Sequence, residues 1–110
     1  DIGFPDGMKD EKYLDSLDRV LEKLAQDEFD LIFFQAGVDG LASDALGLLS
    51  LSREGLDRRN KKVFEWRRSL GIPLLIFMGG GYSKPITDTV DAFCDLFLEA
   101  SREVISITEN

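Results

Sequence analysis

Two side chains with usable chemistry stand directly behind apolar runs. Asp39 lies in "QAGVDG" after "DLIFF", and Tyr82 lies in "GGGYS" after "PLLIFM". A carboxylate at the end of a strand can ligate a metal, cap a helix or form a turn. A phenol held in such a place can donate a hydrogen bond to charge developing on a substrate oxygen, and losing a donor of that kind typically costs on the order of 10²–10³ in rate. The glycines before Tyr82 have two further uses. They can make a tight turn through positive φ angles, or cradle an anion on backbone N–H groups where a helix starts. "GGGYSK" lacks both the GxGxxG spacing and the GKS or GKT ending of phosphate loops. Asp44, a little further along, is expected to order its loop rather than to react.

Composition narrows the chemistry. The chain has 110 residues and no histidine, so it offers no imidazole for base catalysis or metal ligation. Its length sets an expectation of one domain, and 44% apolar with 31% charged residues is ordinary for a globular protein. The single cysteine, Cys94, forbids an internal disulfide, fits a reducing compartment and is expected in the core. A net charge of −8 speaks against a nucleic-acid partner. No apolar window approaches the ~18 residues of a membrane span, and no basic-then-apolar leader opens the chain. The expected setting is intracellular, cytoplasmic in a bacterium with a nucleus left open, and without membrane contact.

The elements that must position these residues are legible from spacing. Leu14, Leu17, Val20, Leu21 and Leu24 recur at helical steps, with Asp10 as candidate cap. "DLIFFQAG" (30–37) is short and apolar on both faces, as in a strand covered on both sides. Residues 38–51 read as a loop. A second helix comes next, with Ser52 as N-cap, inner residues Leu56, Val63, Trp66 and Leu70, and Gly71 as its stop. "PLLIFM" is a second strand, and Pro85 opens a third helix with inner residues Ile86, Val90, Phe93, Phe97 and Val104. "DRRNKK" and "DTVDAF" read as solvated helix faces. The class is α/β, in the order helix–strand–helix–strand–helix, with a partial parallel sheet and flanking helices. Ligands of such sheets bind at the carboxyl ends of the strands, which puts Asp39 and Tyr82 on one edge.

The stretch "FFQAGVDGLASDALGLLSLSREGLDRRNKKVFEW", continued by "GIPLLIFMGGGYS", resembles the C-terminal half of histone deacetylases and their bacterial relatives. That superfamily carries AGxD after a strand, a GD-x-LG-x-L-x-L-[ST] loop, an EG-x-x-x-RD helix and a GGGY turn. The opening "DIGFPDGMKDEKYLDSL" is similar to its LPxGxxDxxYL segment, so the likeness runs to about residue 105. Gly40, Ser43 and Asn60 depart from the pattern, none at a reactive position. The resemblance implies that residues 1–110 are the C-terminal portion of a single deacetylase-like domain of three-layer arginase–deacetylase type. It also implies roles: Asp39 as one of three zinc ligands, Tyr82 as the catalytic residue contacting the acyl carbonyl, Leu46 as a wall of the acyl-lysine tunnel. Gly80 and Gly81 would let substrate pass close to the backbone.

The activity so implied is that of a zinc-dependent deacylase acting on acetyl-lysine or a polyamine-type amine, incomplete in this chain. The family's D-x-H ligands and tandem histidines are missing from it. Zinc is expected in the complete protein and none in this chain alone, which would be inactive. Its partner would be the N-terminal half of the same domain, or a second copy paired through the exposed sheet edge. The alternatives are a non-catalytic interaction module of the same fold and a small nucleotide- or anion-binding domain.

Overall fold

Helix signals in the sequence are met, with instructive exceptions. In this computed structural model, which describes residues 2–109 and side chains through 104, five elements follow in order. They are α1 (Asp10–Leu24), β1 (Ile32–Gln35), α2 (Arg53–Leu70), β2 (Leu74–Phe77) and α3 (Thr87–Glu109). Ser52 caps α2 by accepting the Gly55 N–H at 2.9 Å, and Gly71 ends it at φ 67°, a conformation that suits a residue without Cβ. α1 begins differently from expectation: Lys9 holds the cap position without a side-chain bond, and Asp10 is the first helical residue. The Asp10 carboxylate instead accepts the Ser52 N–H at 2.8 Å and the Ser52 hydroxyl, tying the start of α1 to that of α2. Pro85 stands outside α3, whose first turn is capped by the Ser83 hydroxyl accepting the Thr89 N–H at 2.9 Å.

β1 and β2 pair in parallel, Ile32 opposite Leu74 and Gln35 opposite Phe77. The expected class and element order are those observed. The sheet is covered on one side only. Ile32, Phe34, Leu74 and Ile76 face inward and are half-buried, and three of them pack with Phe64 of α2 and Leu96 of α3. Phe34 meets Phe64 edge-on at 6.1 Å. Phe33, Leu75 and Phe77 are exposed on the other face, with the Phe33 and Phe77 rings 5.6 Å apart. Both-sided cover was the expectation; α1 packs on α2 instead. The contacts that hold it there include Asp10 on Ser52, Arg58 on Glu11 at 2.7 Å, Lys62 on Asp18 at 2.9 Å, and the Trp66 indole N–H on the Leu21 carbonyl at 2.9 Å.

The helix faces also need correction. In α2, Leu56 and Val63 are buried but Trp66 and Leu70 only half so, while Arg59, Asn60 and Phe64 are buried. "DRRNKK" is therefore not a wholly solvated face. Among the described side chains of α3 the buried ones are Thr89, Ala92 and Leu96, two of them inside "DTVDAF". Ile86, Val90, Phe97 and Val104 are exposed. Thr89 lies against Gly81, Ala92 packs in the cluster of Val38, Leu41, Leu51 and Leu56, and ion pairs fix the rotation. Arg53 holds Asp95 at 2.6 Å, and Arg68 holds Glu103 at 2.8 Å. Cys94, expected in the core, is exposed. It stands two positions from both Ala92 and Leu96, and residues so spaced do not share a helix face. Among the described residues no helix is long and apolar enough to cross a membrane.

Candidate functional site

Parallel pairing brings the ends of both strands to one edge, and the ladder continues past them. The Ala36 N–H donates to the Phe77 carbonyl at 2.8 Å and the Val38 N–H to the Gly79 carbonyl at 3.3 Å. This joins the turn carrying Asp39 to the glycine turn. Gly80 and Gly81 hold φ values of 68° and 102°, in the region that L side chains avoid. A side chain on Gly80 would meet the Asp39 Cβ at 2.9 Å, and one on Gly81 would meet the Thr89 methyl at 2.5 Å. The glycines thus satisfy both the turn geometry and a close approach to Asp39.

Asp39 is exposed and lines a cavity of about 340 Å³ with Tyr13, Gln35, Arg59, Gly79 and Gly80. Tyr82 and Leu46 stand outside that cavity, 59% and 70% exposed. The structure therefore brings Asp39 and the glycine turn into contact and leaves the Tyr82 and Leu46 side chains in the open. Their loops are nevertheless joined. Asp44 is buried, and its Oδ1 accepts the N–H groups of Leu46 at 2.9 Å and Gly47 at 2.8 Å. Its Oδ2 accepts the Tyr82 N–H at 2.7 Å. Burial alone would push the Asp44 carboxyl up, but the three N–H donors outweigh it and hold the pKa below its ordinary value. The Ala45 N–H returns a bond to the Tyr82 carbonyl at 2.9 Å.

Arg59 closes the cavity from α2. It is 6% exposed, and its guanidinium donates to the Gly37 carbonyl at 2.6 Å and to Asn60 Oδ1 at 2.9 Å. It also lies 5.4 Å from the centre of the Phe34 ring, a cation–π distance. Burial pulls its pKa below the ordinary guanidinium value, while Tyr13 and the Asp39 carboxylate oppose that shift. The fork thus pins the backbone at the exit of β1.

A family model of the histone deacetylase domain matches residues 1–96. The chain belongs to the histone deacetylase family. An uncharacterized protein of Picosynechococcus sp. is 42% identical over 91 residues, 82% of this chain and 30% of that protein. Histone deacetylase 2 of Arabidopsis thaliana is 39% identical over 79 residues, 71% of this chain and 20% of the relative. For histone deacetylase 8 of Xenopus laevis the figures are 30% over 87 residues, 78% and 26%. The chain spans less than a third of the length of these relatives.

The donor groups among the described residues of this deacetylase-family chain fall short of a full set of metal ligands. A catalytic zinc takes about three protein ligands, and the described residues contain no group of three His, Cys, Asp or Glu that could hold an ion. Asp39 fits as one oxygen donor. Sequence reading passed over Arg59 and Gly47 at this site. Arg59 lies between Leu56 and Val63 at helical steps, so the inner stripe itself marked it. A side chain on Gly47 would collide with the Asp39 carbonyl, a contact made by the folding-back of the loop, which spacing does not announce.

Proposed function

We propose that residues 1–110 form the C-terminal portion of a single deacetylase domain that hydrolyses acetyl-lysine or a similarly acylated amine, polyamines included. The observation that carries this reading is the contact between Asp39 and Gly80 at one strand edge, in a chain of this family, with Tyr82 two residues later. Asp39 would give one oxygen ligand to a zinc ion, whose other ligands, with the general base, belong to residues outside this chain. The Tyr82 hydroxyl would donate to the acyl oxygen as it gains charge. Leu46, apolar and exposed, would form part of the wall along the acyl chain.

By this reading the chain alone holds no zinc and turns over no substrate. A second reading, a non-catalytic module that pairs through its sheet, draws on the exposed Phe33, Leu75 and Phe77. An acyl-lysine peptide assay on the whole protein separates them. Tyr82→Phe is expected to cut kcat by about 10²–10³ with zinc content unchanged, and Asp39→Ala to lose the metal. Undiminished turnover in Tyr82→Phe overturns the role of the phenol. A wild-type whole protein that hydrolyses no acylated amine favours the second reading.

A further inference from the structure

We propose that Asp44 is the positioning residue for Tyr82: its carboxylate clamps the Tyr82 backbone to the loop that carries Leu46. The two oxygens divide the work. Oδ1 takes the N–H groups of Leu46 and Gly47 and closes a local turn, while Oδ2 reaches across to the Tyr82 N–H at 2.7 Å. The Tyr82 carbonyl accepts the Ala45 N–H at 2.9 Å, so both backbone groups of Tyr82 are held by residues of the Asp44 loop. The next residue, Ser83, is fixed to α3 through its hydroxyl contact with Thr89.

This clamp meets a physical need. Gly80 and Gly81, at φ 68° and 102°, approach Tyr82 from the chain side with no Cβ to restrict them. A phenol that must meet a substrate oxygen needs its Cα fixed from elsewhere, and misplacement by about 1 Å can cost on the order of a hundredfold in rate. Asp44 is 8% exposed, so water does not readily replace its bonds. The same carboxylate sets Leu46 and Tyr82 at a constant separation, joining the apolar wall to the donor.

The kinetic part of this inference rests on the deacylase reading; the backbone part does not. Asp44→Asn is the discriminating variant. An amide whose oxygen keeps the bonds to Leu46 and Gly47 turns its NH2 toward the Tyr82 N–H, donor against donor. Residue-resolved hydrogen exchange on the full-length protein should find the Tyr82 amide protected in wild type. In Asp44→Asn it should exchange roughly tenfold faster or more, with Leu46 and Gly47 little changed. On an acetyl-lysine peptide, Asp44→Asn should lower kcat up to about a hundredfold with KM nearly constant. In a Tyr82→Phe background the same change should cost under about twofold, because the hydroxyl it positions is already gone. Full additivity of the two substitutions, or a Tyr82 amide indifferent to Asp44→Asn, overturns the proposal. If Asp44→Asn fails to fold, an unprotected Tyr82 amide in wild type overturns it as well. If the wild-type protein hydrolyses no acylated amine, the functional reading falls and the exchange result still decides the clamp.

Discussion

Asp39 and Gly80 touch across the sheet edge, where a Cβ on Gly80 would stand 2.9 Å from the Asp39 Cβ and 3.1 Å from its Cγ. Gly80→Ala therefore does two things at once: it places an L side chain at φ 68° and pushes the Asp39 carboxylate outward. The expected cost is roughly 1–2 kcal/mol of stability from the backbone alone. In the whole protein, metal content should fall as well. Chemical denaturation together with metal analysis checks both, and a variant with normal stability and normal metal would show that this contact has slack.

Arg59 gives a second prediction. Arg59→Leu removes the donor to the Gly37 carbonyl and to Asn60 Oδ1 while keeping an apolar side chain beside Phe34. Each acceptor left unpaired in a buried place costs about 1–3 kcal/mol. Arg59→Lys keeps a charge but not the planar fork, so it should recover only part of the loss. Urea unfolding of the three proteins measures this ranking. Equal midpoints would mean that Arg59 is a passenger in α2.

Acid should weaken the fold in a defined way. The Asp44 carboxyl is lowered because its backbone donors outweigh burial. The Arg53 hydrogen bond lowers Asp95, and the Arg68 hydrogen bond lowers Glu103. A folded pKa below the unfolded one means that the unfolded chain takes up protons first as pH falls. The stabilisation is thus complete above the ordinary carboxylate range near pH 4 and is lost as pH drops through the lowered values. The melting temperature should be flat from neutral pH to about pH 5 and decline below it. Asp95→Asn should flatten part of that decline; a melting temperature constant down to about pH 3 would contradict the linkage.

The placement of the candidate residues was legible where chemistry and element ends coincide. Asp39 and Tyr82 each follow an apolar run closely, and parallel strands deliver such residues to one edge. Ser52 and Gly71 bounded α2 because capping is local chemistry. What periodicity could not fix was rotation. Apolar residues surround much of α3, so Val90 and Phe97 were as good an inner stripe as Ala92 and Leu96. The choice came from α2, whose Arg53 and Arg68 take Asp95 and Glu103. Asp44 was legible as a loop former, but its reach to Tyr82 is a tertiary fact.

α2 lies on the only covalent path between the two strands, and its 18 residues fasten to the rest at both ends. Near its start, Ser52 meets Asp10 and Arg59 meets Gly37; near its finish, Trp66 meets Leu21 and Arg68 meets Glu103. One residue inserted between these sets would turn the second by about 100° relative to the first. The helix could then honour either set but not both. A change of length is thus borne better in the segment 25–31 than within α2, where it would break the fastening at one end or the other.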